Sequence, residues 1–425
     1  MEERNTNQPG GDTPILISRE SPGLRSETVR RSNLSAIVRQ LHGRGPQSRS
    51  ELVARTGLTR SAIRGLIAEF VAANLVVEER AALAGLPGRP SPVVVPQPGS
   101  AVVLAVDIRV DSLAVAIVGL GGEVLEQRRI DRPRDRIQLD DLLGDLRALT
   151  RELTLLDASR DALIGIGVSV VGLVRRADGW VATAPNLGWR DIQLAEQVGA
   201  ALDLRLPVHV GNEADLGALA ELRRGAARGA DDMVFISGEV GVGGGFIVDG
   251  KPLTGVVGFA GEVGHMPINP GGGSCRCGSM GCWEVEVGEE ALLRGAGRPA
   301  DGGREAVDAV VAAAEAGEPA ALASLERVGR WLGIGLALLV NLLNPRVIVL
   351  GGLFGRVHPF VRSTMQAELD RRALPAARGL MRVTPAALGD DASLLGAAEL
   401  AFEPFLADPA AWLGPRSLLA TAAGA

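Results

Sequence analysis

The sequence predicts a winged helix-turn-helix head joined to a two-lobed α/β body, and three observations carry that prediction. Residues 1–98 hold 13 arginines against 9 acidic residues, whereas the other 327 hold 31 basic and 41 acidic residues. The basic part is filled by short, capped segments of helical period. From about residue 99, strand and helix patterns alternate, as they do in α/β lobes. The net charge of −6 is therefore an average over unlike parts.

Within the head, residues 26–41 place Val29, Asn33, Leu34, Ile37, Val38 and Leu41 at helical spacing, and Gly43 and Gly45-Pro46 stop the run. Ser48-Arg49-Ser50-Glu51 then reads as a capping box opening a short helix that ends at Thr56-Gly57. Thr59 caps a third helix with the apolar stripe Ile63, Leu66, Ile67 and Phe70, leaving Arg60, Ser61 and Arg64 on another face. This is the spacing of a helix-turn-helix whose recognition helix begins at Thr59. Residues 75–78 and 93–95 read as the two strands of a wing. Arg89 stands between glycine and proline in the loop joining them and suits a narrow minor groove. Ser48, Arg49, Thr59, Arg60, Ser61, Arg64 and Arg89 are the expected contacts to double-stranded operator DNA. Charge alone equally fits a compositional bias, since Lys251 is the sole lysine. A small helical interaction domain is the other reading of the head. Agreement of caps, turn glycine, basic face and wing favours DNA.

The body begins with a buried strand at 101–107, ending in an acid, and a second at 113–118. Strands at 164–173 and 208–211 and a helix at 215–224 complete a first lobe. A second lobe starts near Asp231, with a strand at 233–238, a glycine turn at 241–245, its partner strand at 246–248, a helix at 326–343 and a strand at 347–352. A helix opening at 391–397 packs back on the first lobe. A ligand cleft between the lobes follows from this arrangement.

With 425 residues and 46% hydrophobic side chains, wholesale disorder is excluded. The longest strongly apolar stretches, 162–174 and 331–343, fall short of the roughly 18 residues that suggest a spanning helix. The N-terminus lacks the apolar segment of a signal peptide. No membrane partner is expected, and the working class is a soluble cytoplasmic protein. Three cysteines, all between positions 275 and 282, argue against a disulfide scaffold. With His265 they give one imidazole and three thiols within 18 residues. His265, Cys275, Cys277 and Cys282 suit tetrahedral Zn²⁺ in a closed structural site. Three reduced, unliganded thiols are the other reading.

Glu262-Val263-Gly264-His265 followed by Cys275-Arg276-Cys277-Gly278-Ser279-Met280-Gly281-Cys282-Trp283-Glu284 resembles the signature of the ROK family, which groups repressors with sugar kinases. The resemblance covers residues 100 to about 403, and the head is similar to that of the family's sugar-responsive repressors. It implies an actin-like ATPase fold, a sugar in the interlobe cleft, and assembly as homodimers or homotetramers. It also implies a sugar-binding set of Asn186, Asn212, Glu213, Glu262, His265 and Glu284, in which one nitrogen of His265 binds zinc and the other a sugar hydroxyl.

Against the kinases of the family, the chain departs at three places. Their Asp-Ile-Gly-Gly-Thr phosphate turn reads Asp107-Ile108-Arg109-Val110-Asp111, and their Gly-Thr-Gly reads Glu239-Val240-Gly241. Their Asn-Asp reads Asn212-Glu213, and the extra methylene moves the base by about an ångström, a displacement that can cost about 10²-fold in rate. The expectation is a sugar-sensing transcriptional repressor without catalysis, with Glu213 a degenerate base. An ATP-dependent sugar kinase fused to a DNA-binding domain is the alternative. The expected division is an arm at 1–23, the head at 24–98, lobe 1 at 99–225, lobe 2 with the zinc loop at 226–390, the returning helix at 391–405 and a loose tail at 406–425.

Overall fold

The computed structural model describes residues 26–79, 92–134 and 138–413. Helix α1 (Ser26–Arg44) opens the head, followed by α2 (Arg49–Thr56) and α3 (Arg60–Ala72). Ser48 Oγ accepts from Glu51 N at 3.2 Å while Glu51 Oε2 accepts from Ser48 N at 2.7 Å, so the capping box is complete. Gly57, at φ +71°, ends α2 in the left-handed conformation that a side chain would oppose. Thr59 Oγ1 caps α3 by accepting from Ala62 N at 3.2 Å. Strands β1 (Gln47–Ser48), β2 (Val76–Glu79) and β3 (Val93–Pro96) form a small antiparallel sheet in the order β1-β3-β2. Arg89 and the loop between β2 and β3 lie outside the described residues, as does the arm at 1–23.

The two lobes repeat one topology. In lobe 1, β4 (Val102–Ile108), β5 (Ser112–Gly119) and β6 (Val124–Asp131) form an antiparallel meander, and β7 (Leu163–Val170) and β11 (Val208–Asn212) add in parallel on the other side of β4. In lobe 2, β12 (Met233–Gly238), β13 (Val242–Val248) and β14 (Lys251–Pro252) form the meander, and β15 (Val347–Gly351) and β16 (Arg382–Pro385) add in parallel beside β12. Strands β8 (Leu173–Arg175), β9 (Trp180–Ala184) and β10 (Trp189–Gln193) make a separate small sheet.

Successive residues of β4 bury on opposite faces, as the two-residue strand period requires. Val102, Leu104 and Val106 join a core with Leu142, Leu146 and Leu149 of the helix Leu139–Arg151. Val103 and Ala105 face the C-terminal helix Ala392–Ala407, which packs on lobe 1. That helix lies so close that a Cβ on Gly167 would sit 1.9 Å from Ala397 O. The same core contains Leu34, Ile37 and Leu41 of α1 and Ile63 and Phe70 of α3. Head and lobe 1 thus share one apolar interior.

Two expectations change. Glycines 243–245 lie in β13 and form no turn: the helix Glu213–Arg224 crosses them so closely that a Cβ on Gly245 would meet Ala214 O at 2.4 Å. Nor does a loose tail begin at 406, since Leu406 and Leu413 are buried in the shared core and Phe405 meets Trp412 edge-on at 6.3 Å. Residues 414–425 lie outside the described set. No helix among the described residues is long and apolar enough to cross a membrane.

Candidate functional site

A cavity of about 520 Å³ opens between the lobes, within the range of small-molecule sites. Asn186, Asn212, Glu213, Glu262, His265 and Glu284 all line it. Asn212 stands at the end of β11 because that position caps the helix Glu213–Arg224: its Oδ1 accepts from Ala214 N at 2.8 Å and from Asp215 N at 3.2 Å. Its Nδ2 donates to Gly172 O at 3.0 Å and to Glu213 Oε2 at 2.8 Å. The amide therefore fixes the carboxylate of its neighbour. Burial pushes the Glu213 carboxyl well above the ordinary range, and Glu239 and Glu262 push it the same way. Glu262 is raised chiefly by burial too, against the pull of His265.

His265 joins two environments. Its Nδ1 lies 3.6 Å from Cys275 Sγ and 3.6 Å from Glu284 Oε1, while its Nε2 lies 3.8 Å from Glu262 Oε2 in the cavity. Cys277 Sγ and Cys282 Sγ are 3.7 Å apart, and the four candidate ligand atoms all fall within 4.8 Å of one another. Tetrahedral ligands at Zn–S of about 2.3 Å and Zn–N of about 2.0 Å lie roughly 3.5–3.8 Å from each other, so the cluster has the size of a metal site. The loop is set up for it. Gly278 and Gly281 have φ of +94° and +69°, and a Cβ on Gly281 would lie 1.7 Å from Asn269 O. Trp283, beside the last cysteine, is fully buried and donates from Nε1 to Trp331 O at 3.0 Å, anchoring the loop to the helix Pro319–Leu343.

The end of the cleft around Arg109 and Glu239 is built differently. Arg109, replacing a turn glycine of the kinases, is buried among acids and acceptors. Its Nε donates to Asp107 Oδ2 at 2.6 Å, its Nη1 to Glu239 Oε1 at 3.0 Å, and its Nη2 to Ser393 Oγ at 2.8 Å and to the Asp390 carbonyl. Burial opposes the charge, but Asp107 and Glu239 outweigh it and hold the guanidinium ionised. The Arg109 guanidinium that neutralises Asp107 and Glu239 also fills the space beside them. Arg134 adds a second tie between the lobes, to Asp111 at 2.8 Å and to Glu289. Two further hollows among the described residues here measure only about 30 and 20 Å³.

On the head, Arg60, Ser61 and Arg64 are exposed along one side of α3. Arg49 is tied to Glu78 of β2 through both Nε and Nη2, so its guanidinium braces the wing. The Ser48 and Thr59 hydroxyls are engaged as caps. Sequence reasoning missed Trp189, Arg190, Glu239 and Arg276 as cavity residues. Arg276 donates to Asn186 Oδ1 at 3.2 Å, and its position between Cys275 and Cys277 is the available signal.

A family model described as ROK family matches residues 103–403. The chain belongs to the ROK family. Among its relatives, the xylose repressor of Bacillus subtilis is 30% identical over 379 residues, covering 89% of this chain and 97% of the relative. A crystal structure described as a ROK family transcriptional regulator, homolog of the E. coli MLC protein, superposes with TM-score 0.73 at 28% identity, covering 92% of this chain and 99% of that one. A ROK family glucokinase from Streptomyces griseus, in complex with glucose and AMPPNP, has TM-score 0.61 at 29% identity and covers 70% of this chain and 98% of its own. The regulators extend over the head; the kinase match stops at the body.

Proposed function

We propose that this ROK protein is a sugar-responsive transcriptional repressor whose body binds its sugar but does not phosphorylate it. The observation that carries the reading is the contrast inside one cleft. Six polar groups suited to adjacent hydroxyls face an open cavity, while Arg109 and its partners occupy the phosphate end. The xylose repressor and the MLC-like regulator, both matched across the head, support it. In this reading Asn212, Glu213, Glu262, Glu284 and Asn186 bind sugar hydroxyls, and His265 Nε2 completes the ring. Zn²⁺ would be held by His265 Nδ1 and the three sulfurs. When bound, the metal supplies structural closure of the loop at 265–282, and the orientation of the His265 ring follows from it.

The head binds operator DNA as a homodimer or homotetramer, with Arg60, Ser61 and Arg64 of α3 toward the groove. To move from 1:99 to 99:1 between two states, the sugar must prefer one by about 10⁴-fold. The test is a thermal-shift and calorimetric titration with D-xylose and D-glucose, followed by DNA binding to the region upstream of the chain's own gene. A sugar that binds, weakened at least tenfold by Glu213→Gln, and that changes DNA affinity is the expected result. Arg60→Ala with Arg64→Ala should weaken DNA binding and reduce its salt dependence. The second reading, an active kinase, draws on the Streptomyces glucokinase likeness and on the raised Glu213 carboxyl. Sugar-dependent ATP consumption that Glu213→Gln abolishes would establish it instead.

A further inference from the structure

The helix Glu213–Arg224 begins in the cavity and ends against the head. Asn212 caps it and Glu213 is its first residue, both lining the cavity. Eleven residues after Glu213, about 16 Å along the axis, Arg224 reaches α1. Its Nη2 lies 2.8 Å from His42 Nε2, its Nη1 3.3 Å from His42 O and within hydrogen-bond reach of Gly121 O, and its Nε donates to Glu399 Oε1 at 2.6 Å. His42 is wholly buried near the end of α1. Its Nδ1 accepts from Gly121 N at 3.1 Å, and its Nε2 stands 3.3 Å from Glu399 Oε2. One guanidinium therefore ties the head, lobe 1 and the C-terminal helix together.

The rod between the two ends has little room to yield. A Cβ on Gly396 of the C-terminal helix would sit 2.0 Å from Leu216 O, and one on Gly245 of β13 would sit 2.4 Å from Ala214 O. Backbone-to-backbone packing on two sides makes a displacement at one end a displacement at the other, because close-packed interiors transmit strain instead of absorbing it. The C-terminal helix, held by this contact, also grips α1 through Glu403 with Arg39 at 2.6 Å and through Leu406 O with Ser35 Oγ at 2.6 Å.

We propose that the helix Glu213–Arg224 is the mechanical link from the sugar cavity to the DNA-reading head, with Arg224 the positioning residue through which it moves α1. The sugar's part in this rests on the functional reading above; the link itself does not.

Two arms test it on the full chain. The first measures affinity for the upstream DNA with and without saturating D-xylose or D-glucose. Coupling of this kind amounts to about 5–150-fold. It should fall below about twofold in Arg224→Ala and also in Arg224→Lys, which keeps the charge beside Glu399 but loses the guanidinium fork. A ratio retained in both folded variants overturns the proposal. The second arm needs neither sugar nor operator: hydrogen exchange of α1 peptides is compared with and without Asn212→Ala, which removes the cap at the cavity end. Exchange in α1 should change in the native background and not in Arg224→Lys. No change in the native background, or an equal change in both, overturns the link. If neither sugar affects DNA binding by the native chain, the effector reading falls and the second arm still decides.

Discussion

The two ends of the interlobe cleft use the same residue types to opposite effect. At the sealed end each acid has a cation: Arg109 serves Asp107 and Glu239, Arg134 serves Asp111 and Glu289, and Arg304 and Arg356 serve Asp390. Although burial works to raise it, Asp390 is held below the ordinary carboxylate range by those arginines. At the open end Arg190 and Arg276 line the cavity but neither is paired with Glu213 or Glu262, and burial raises both acids. Carboxylates paired inside the protein are spent on structure, whereas those left facing a cavity retain acceptors for a ligand. The charge count alone does not separate these cases; the pairing does.

The largest expected effect lies at the open end. Structural zinc contributes about 10–16 kcal/mol of apparent binding free energy in small zinc domains. Stripping the metal with a chelator, or Cys277→Ser, should lower Tm by more than 10 °C and abolish sugar binding, because His265 loses its fixed ring. Metal analysis of the purified protein alongside calorimetry checks this. A metal-free protein with unchanged sugar affinity would separate the loop from the sugar site.

At the sealed end, Arg109→Ala leaves the buried Asp107, and Glu239 at the cavity wall, without their cation. Breaking a buried pair from one side costs about 3–5 kcal/mol, and denaturant unfolding should show a loss of that size. The variant should still fail to bind an ATP analogue, since the two acids remain. Nucleotide binding by the native chain would break the contrast between the two ends outright.

Much of this was legible in the sequence, for identifiable reasons. Caps, turn glycines and the cysteine spacing are local, and Ser48, Gly57, Thr59 and the cluster from His265 to Cys282 are placed by rules that need no tertiary information. The six cavity residues came from the family's motifs, not from periodicity. Long-range pairing was not legible. Arg109 reads as a bulky intrusion until Asp390 and Ser393, more than 280 positions away, are brought beside it. Arg49 has no visible partner in the sequence until β2 presents Glu78. The glycines of β13 read as a turn until the helix Glu213–Arg224 lies across them, and His42 has no visible partner until Glu399 folds against it.

A smaller effect sharpens the electrostatic difference. Asp215 lies two positions beyond Glu213 of the cavity lining, is 8% exposed, and is pushed up to about 7 by burial, with Arg176 only partly opposing. An acid with a raised value in the folded state holds its proton after the unfolded chain has released its own near 3.8. Between those limits the folded state binds more protons, so this group makes stability fall as pH rises from about 4 to about 7 and contributes no further slope above that. Asp215→Asn removes the ionisation while keeping the shape. Its stability relative to the native chain should therefore climb across that window and level off above pH 7. At about 1.4 kcal/mol per pKa unit, the gain is on the order of 2–4 kcal/mol. Urea unfolding at pH 5, 6, 7 and 8 measures the difference. Parallel curves would mean that Asp215 finds a cation after all, and that the open end is less starved of positive charge than its pairing indicates.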